Sequence, residues 1–243
     1  MFETIRHNLH DRVQALQSSM DAGQRCLLAN EIAQVIDYKK LNDRERSLAE
    51  EIINNLIEDE VESVRAAIAV AVRTSPYLPT ALAQKLARDI AEISLPVLEL
   101  SPVLEDRFLS EIIRTGIVEK MSAIAQRKNV SSKICRQIVS LGRKEPILTL
   151  LKNNGAEISD HTMVTIIRVY GDDETVEQAI FDRGDLSDDV LATLRELSEA
   201  HVSDFIRKYF QIPGHVIDVE RGRNLLDGVN RRPVWWHSKQ GPI

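Results

Sequence analysis

His7 and His10 stand three residues apart on a predicted N-terminal helix, with Asp11 beside them. Two histidines at this spacing share a helix face and can bind a metal ion, but a zinc site needs a third protein ligand, and the sequence assigns none. The other histidines, at positions 161, 201, 215 and 237, have no carboxylate or nucleophile at a readable spacing. We therefore expect no metal site, and the simpler reading of the first pair is a solvated helix face.

The remaining patterns that could support catalysis are also better explained by structure. Cys26 and Cys135 lie on apolar helical stripes and form no CxxC pair, which predicts core packing. No P-loop and no GxGxxG fingerprint occurs. The run Asp182–Asp189 lacks the ligand order of an EF-hand, and Ser187 as an N-cap followed by two first-turn aspartates explains it better. We expect no cofactor and no enzymatic activity.

Arginines recur through the middle of the chain, and Arg65, Arg73, Arg107 and Arg127 are candidate interaction residues. On stacked helices they could line one surface and bind acidic or phosphate groups. The alternative is that they pair internally with carboxylates such as Glu62 and Asp89. Residues 1–171 carry 22 basic and 23 acidic residues, a balance that favours internal pairing.

The C-terminal segment has the most unusual local composition, and its candidate interaction residues are Arg231, Arg232, Trp235 and Trp236. Residues 203–243 carry a net charge of +3 and follow residues 172–202, which carry −8. The tryptophans could cover the last helix pair, dock on a partner, enter a membrane interface or stack on bases. We rank docking on the chain's own last helices first and nucleic acid last.

An internal repeat supplies the elements that position these residues. Five segments each begin with an aliphatic residue and a turn or cap residue, and then continue with apolar residues at helical spacing. Their starts, 25, 27, 28 and 28 residues apart, are Leu78, Val103, Val130, Ile158 and Leu186. Ser131, Ser159 and Ser187 are predicted N-caps, Pro79 takes that place in the first unit, and Asp106 is a possible substitute cap in the second.

Shorter apolar segments between these helices predict the first helix of each pair; they are Val64–Val72, Val97–Leu100, Val118–Ala125, Ile147–Leu151 and Val176–Phe181. Of the 243 residues, 43% are hydrophobic and only 5% aromatic, as expected for helices with aliphatic cores. The predicted fold is all-α, an α-α superhelix (HEAT-like solenoid) of short antiparallel helix pairs. We predict an N-terminal helical cap over residues 1–60, repeats of about 27 residues over 61–202, and a basic tail over 203–243.

The central segment also resembles a known family. SLPVLELSPVLEDRFLSEII, SAIAQRKNVSSKICRQIV and LLKNNGAEIS are similar to an uncharacterised alphaproteobacterial family of domain-of-unknown-function proteins. The likeness is strongest from Val61 to Ile167 and rests on Ser101–Leu104, Ala123–Arg127 and Asn153–Ser159 taken together. The resemblance implies HEAT-like helical repeats and a cytoplasmic setting, and it supplies no catalytic residues.

Two functional hypotheses follow. The first is a non-enzymatic protein–protein interaction, scaffold or regulatory module whose extended surface binds another protein. The alternative is a nucleic-acid-binding, base-excision-like helical-repeat protein, which the net charge of −6 disfavours. The longest apolar run, Ala66–Val72, is too short to span a membrane, and the first residues do not form a secretory signal, so we expect a cytoplasmic protein.

Overall fold

The computed structural model describes residues 9–18, 20–37, 41–171, 173–184, 186–193, 195 and 196, and in them we name twelve α-helices, which are followed by a helical segment from residue 188; these residues contain no β-strand. The predicted all-α class is therefore confirmed. The helices are α1 (Leu9–Ser18), α2 (Ala22–Ile36), α3 (Asp43–Ile57), α4 (Glu62–Val72), α5 (Thr80–Arg88), α6 (Ala91–Leu100), α7 (Asp106–Ile113), α8 (Val118–Ala125), α9 (Ser132–Ser140), α10 (Lys144–Lys152), α11 (Asp160–Tyr170) and α12 (Glu174–Arg183).

The helices stack in two layers. The even-numbered helices contact one another in sequence from α2 to α12. In the odd-numbered layer α1 contacts α3, α3 contacts α5, α7 contacts α9, and α9 contacts α11. Helices joined by short turns, such as α5 and α6 or α7 and α8, pack across the layers. Each pair therefore covers the apolar side of its neighbour, which is the packing of an α-α superhelix.

Local capping chemistry determines several helix starts. The hydroxyl of Ser131 accepts a hydrogen bond from the Ile134 amide at the start of α9, and Ser159 does the same for Thr162 at the start of α11. Residues 188–193 are helical, and the Val190 amide donates to the hydroxyl of Ser187. The three predicted serine caps are thus confirmed, and Pro79 is the N-cap of α5.

One local expectation was wrong, and one predicted helix is longer than its apolar segment. Asp106 does not cap α7, because Glu105 holds the N-cap position without a side-chain hydrogen bond, and the Asp106 carboxylate instead accepts the hydroxyl of Ser131. The helix expected at Val97–Leu100 begins earlier, at Ala91, and contains Pro96. Proline lacks the amide that would bond one turn back, but Val97 and Leu98, which follow it, are buried, and that burial outweighs the lost hydrogen bond.

The core lies between the two layers. The helical spacing of apolar residues in the sequence predicts one continuous core of Leu82, Leu86, Ile112, Ile113, Ile138, Ile166, Ile167 and Leu194. The first seven are buried, and Leu194 lies outside the described residues. Short turns return the chain, and Gly116 and Gly142 take left-handed backbone conformations with φ of 72° and 62°. A side chain would be strained there, so glycine allows α7 and α9 to end abruptly.

The chain divides into two units after Val190, and the first unit contains all twelve helices named above. Of the second unit the structure describes Leu191–Thr193 and residues 195 and 196, which are helical. The sequence-based boundaries at residues 60 and 202 stay predictions. Within the described part of the chain, no helix combines the length and the apolar character needed to cross a membrane.

Candidate interaction surface

Two of the predicted interaction arginines form their hydrogen bonds inside the chain. The Nε of Arg65 lies 2.8 Å from Oδ2 of Asp89, forming an ion pair. Arg127 donates to the carbonyl oxygens of Leu98 at 2.6 Å and Ser101 at 2.8 Å. At Arg65 the internal pairing with Asp89 is therefore the arrangement that the structure contains.

Arg127 is one member of a ladder along the even-numbered layer. The amide of Asn153 donates to the carbonyls of Ala125 and Arg127 at 2.7 and 2.8 Å. The guanidinium of Arg183 donates in turn to the carbonyls of Asn153 and Ala156 at 2.9 and 2.6 Å. Each side chain thus satisfies carbonyls left free where the preceding even-numbered helix ends. Sequence reasoning missed Asn153 and Arg183. Asn153 follows Arg127 by 26 residues and Arg183 follows Asn153 by 30, and this spacing, near the repeat period, was the available signal.

A second set of charged groups links the helices at the turns that lead from an odd-numbered helix to the next even-numbered helix. Arg25 pairs with Asp59 at 2.6 Å, and Arg65 donates to the Asp59 carbonyl at 2.9 Å. The ammonium of the buried Lys120 donates to the carbonyl of Asp89 at 2.8 Å. Burial lowers the pKa of Lys120, while the Asp89 carboxylate opposes that shift. Burial also acts to raise the pKa of Asp89, but hydrogen bonds, first of all from Arg65, outweigh it and lower the pKa.

The other predicted arginines lie in different places. Arg73, the C-cap of α4, is half-buried and donates to the carbonyl of Val70 in that helix. Arg107 is exposed on α7. The tail residues Arg231, Arg232, Trp235 and Trp236, like His7, His201, His215 and His237, lie outside the described residues.

Four exposed cations are distributed along the later helices of the odd-numbered layer. We call Arg107, Lys133, Arg136 and Arg168, on α7, α9 and α11, the basic face. Each is exposed, and none has a hydrogen bond or ion pair to another residue that the structure describes. Counted from the N-caps of their helices, Arg107 and Lys133 occupy the same position, so in contacting helices they lie side by side.

The opposite layer has the reverse charge at the equivalent place. Glu92, Glu119 and Glu145 are the second residues of α6, α8 and α10, and all three are exposed. Over α6, α8, α10 and α12 there are seven Asp and Glu against four Lys and Arg, whereas α5, α7, α9 and α11 hold six Lys and Arg against three Asp and Glu. The charges of the repeat region, balanced in sum, are therefore separated between the two layers.

The metal and thiol candidates found little support in the described residues. His10 is exposed and lies 3.3 Å from the Gln14 amide nitrogen, and the described part of the chain contains no cluster of three or more His, Cys, Asp or Glu suited to a metal ion. Cys135 is buried, and burial raises its pKa to about 11. Cys26 is half-buried, with Sγ 3.6 Å from the Ser63 carbonyl.

An open groove of about 370 Å³ lies at the C-terminal ends of α8 and α10, lined by Gln126, Thr149, Lys152 and Asn153. Its volume would admit a small ligand. However, the Asn153 amide already binds backbone carbonyls, and the Thr149 hydroxyl donates to the Glu145 carbonyl. Lys152 is the single charged group of the lining, so the groove holds no pair of groups suited to acid–base or nucleophilic chemistry.

Comparison with known proteins gives one match. The model of a family described as "Uncharacterised protein conserved in bacteria (DUF2336)" matches residues 93–222, which run from α6 through α12 and beyond. No curated protein and no solved structure matches the chain.

Proposed function

Since the chain belongs to the DUF2336 family, for which no activity is described, we propose a function from its surface: it is a non-enzymatic protein-interaction module. The basic face of α7, α9 and α11 binds an acidic surface of a partner protein. The observation that carries the proposal is the position of Arg107 and Lys133 in the first turns of their helices.

Positive charge in a first turn opposes the helix dipole, which favours acidic residues there. The even-numbered helices follow that rule with Glu92, Glu119 and Glu145. Arg107 and Lys133 add positive charge to their first turns, where α7 also carries Asp106, and neither cation has a side-chain hydrogen bond or ion pair to another described residue. Because these two cations do not stabilise their own helices, binding to an external anion is the better account of them.

The contrast with the other cations of the repeats supports the same conclusion. Lys120 and Arg127 donate to backbone carbonyls, and Lys144 forms an ion pair with Asp173. These side chains are committed to the fold. The basic face therefore comprises cations that remain available for a partner, and arginine can bind a carboxylate through two parallel hydrogen bonds.

An acidic protein fits this face better than nucleic acid does. The whole chain has a net charge of −6, and the six exposed cations of α5, α7, α9 and α11 share those helices with Asp106, Glu111 and Asp160. Nucleic-acid binding depends on neutralising many phosphates at once. A patch of four cations suits a local cluster of carboxylates instead.

The experiment compares two triple variants with equal loss of charge. Arg107→Gln/Lys133→Gln/Arg136→Gln removes the basic face. Arg44→Gln/Lys128→Gln/Lys152→Gln removes three exposed cations elsewhere. Each protein is immobilised and exposed to native bacterial lysate, and captured proteins are identified by mass spectrometry. We expect a stoichiometric acidic partner with the wild type and the control, and its loss with the basic-face variant.

Two results would contradict the proposal. One is a partner that both variants retain equally. The other is binding of a 30-base-pair DNA duplex at low salt, measured by fluorescence anisotropy, that only the basic-face variant loses. The second result would support the nucleic-acid alternative in place of protein binding.

We also propose that the repeats are of the HEAT-like type and that the protein acts in the bacterial cytoplasm. The short helices packed in two layers support the first point. Cys26 and Cys135 are free thiols, which suits a reducing compartment. Cell fractionation followed by immunoblotting tests the location.

A further inference from the structure

The turns that lead from odd-numbered to even-numbered helices carry a row of exposed aliphatic side chains. Val61, Ile90 and Ile117 are the N-caps of α4, α6 and α8, and Leu141 lies in the turn before α10. Their exposed fractions are 37%, 43%, 41% and 40%. Because α4, α6 and α8 contact one another in order, their N-caps Val61, Ile90 and Ile117 occupy equivalent places in successive turns; together with Leu141 in the following turn, we call them the aliphatic edge.

Helix stability does not account for this row. Valine and isoleucine are among the poorest N-cap residues, since they offer no acceptor to the free amides of the first turn. None of the three caps makes a side-chain hydrogen bond. Elsewhere the same chain uses acceptors, with Asp21 capping α2 and Asn42 capping α3. Exposed aliphatic side chains at these positions therefore weaken the helix starts, and their contact with water is also unfavourable.

Opposite charges flank the aliphatic edge on its two sides. Arg88 and Arg114 stand at the ends of α5 and α7, on the odd-layer side. Glu92 and Glu119 stand in the first turns of α6 and α8, on the even-layer side. All four are exposed; Arg88 makes a long contact of 3.5 Å with the exposed Glu111 and stacks on Phe108.

The next turn contains the same three residue types, all of them exposed, but Leu141 is here the C-cap of α9 and Arg143 the N-cap of α10, so the aliphatic residue and the arginine exchange places before Glu145. The edge thus has a repeated composition over three successive turns. An arginine, an aliphatic residue and a glutamate occur within six residues in each turn.

We infer that the aliphatic edge is the interface between two copies of this chain, related by a two-fold axis that runs along the row. Rotation about that axis lays the aliphatic row of one copy against that of the other. At the turns of Ile90 and Ile117 it also sets the arginine of each copy opposite the glutamate of its partner. A two-fold axis perpendicular to the row would oppose arginine to arginine, so charge selects the parallel arrangement. The surface is then complementary to itself, as an isologous dimer requires.

The size of the edge predicts a weak dimer. From α4 to α10 the row crosses three interhelical steps of roughly 9 Å each, giving a length of about 27 Å. An interface of this length, no wider than the two helix layers, buries an area at or below the lower limit for specific protein interfaces. The flanking charges are exposed, and salt therefore weakens the association.

Association is measured by sedimentation equilibrium of the full chain between 5 and 500 µM. We expect a reversible dimer for the wild type and a monomer for Ile90→Ser/Ile117→Ser. Both changed side chains are already exposed, and an unchanged circular-dichroism melt verifies the fold of that variant. A wild type that is monomeric over the whole range overturns the inference.

Charge reversal tests the proposed pairing. Arg114→Glu alone and Glu119→Arg alone should each weaken the dimer at least tenfold at low salt, because like charges then oppose each other across the axis. The double variant Arg114→Glu/Glu119→Arg should restore the dimer, since it exchanges the two sides. Failure of the double variant to recover overturns the pairing.

Cysteine cross-linking tests the direction of the axis. In a Cys26→Ser background, Ile90→Cys and Ile117→Cys should each form a disulfide-linked dimer on mild oxidation, because every residue of the row faces its own copy. Arg107→Cys, on the basic face, is the control and should form no disulfide-linked dimer. Cross-linking of only one edge position, or no more than in the control, contradicts the parallel axis. The triple variant of the basic face should still dimerise, so this inference and the proposed function are tested separately.

Discussion

The side-chain amide of Asn153 donates to the backbone carbonyl of Arg127 over 2.8 Å, while the guanidinium of Arg127 donates to carbonyls of the preceding helix pair. Arg127 therefore donates through its guanidinium to the preceding helix pair and accepts through its backbone carbonyl from Asn153 of the following pair. Because this relationship joins consecutive even-numbered helices, loss of a single member affects two interfaces between pairs. Burial lowers the pKa of Arg127, as expected for a cation held against carbonyls rather than a carboxylate.

Replacement of Arg127 should destabilise the fold. Arg127→Met keeps much of the side-chain volume but leaves the carbonyls of Leu98 and Ser101 without their donors. Hydrogen bonds from charged donors contribute about 1.5–3 kcal/mol each, and we expect a loss of ~2–4 kcal/mol in the free energy of unfolding. Urea denaturation measures it. Arg107→Met, on the exposed face of α7, is the matched control and should change stability by about 0.5 kcal/mol or less. Equal losses in the free energy of unfolding for the two variants would show that the hydrogen bonds of Arg127 do not stabilise the fold.

Truncation of a core residue tests the packing between the layers. Ile138 on α9 is completely buried, so Ile138→Ala leaves a cavity and should cost ~2–5 kcal/mol. The control is Leu141→Ala, three residues further along and 40% exposed, which should have little effect on the melting midpoint. A circular-dichroism melt separates them. An unchanged melting midpoint for Ile138→Ala would mean that the apolar face of α9 is wrongly assigned to the core.

Asp173 should titrate abnormally. Lys144 donates to its carboxylate and lowers its pKa to about 2, with a second hydrogen bond from Thr175. Since an unfolded aspartate has a pKa of about 3.9, the pair stabilises the folded state above about pH 4. That contribution is lost as the pH falls from about 4 to about 2.

The test is a side-chain carboxyl titration by NMR. Lys144→Met should move the Asp173 pKa upward toward ~3.9, because the main cause of the shift is removed. Lys152→Met, on the same helix, removes an equal charge and should leave the titration of Asp173 unchanged. A pKa that stays near 2 without Lys144 would assign the shift to the helix start instead.

Sequence reasoning predicted the elements that depend on local chemistry. Ser131 and Ser159 were identifiable because an N-cap hydroxyl and the apolar spacing after it occur within a few residues of chain. The core position of Ile138 followed from the same periodicity. The sequence indicated only the second part of α6, from Val97; the helix also runs through Pro96, where tertiary burial overrides the preference of proline to end a helix.

The interaction residues were harder to predict, because their roles depend on the neighbouring repeat. Arg107 and Arg127 look alike in the sequence, yet one is exposed and the other donates to helix-end carbonyls. Whether an arginine meets carbonyls or water is decided by which helix stacks beside it. The aliphatic edge was missed for the same reason, since Ile90 and Ile117 become a row only when the repeats are superposed.

The two cysteines should differ sharply in reactivity. Cys135 is fully buried on α9, and burial raises the pKa of its thiol to about 11, so almost no thiolate exists at neutral pH. Cys26 is half-buried, and a reagent can reach it. With a chromogenic aromatic disulfide at pH 8, we expect one thiol per chain to react within minutes in the native protein and two in urea. Cys26→Ser should abolish the fast phase, and Cys135→Ser should abolish the additional thiol seen in urea. Rapid modification of Cys135 in the folded Cys26→Ser protein would show that α9 opens far more readily than its burial implies.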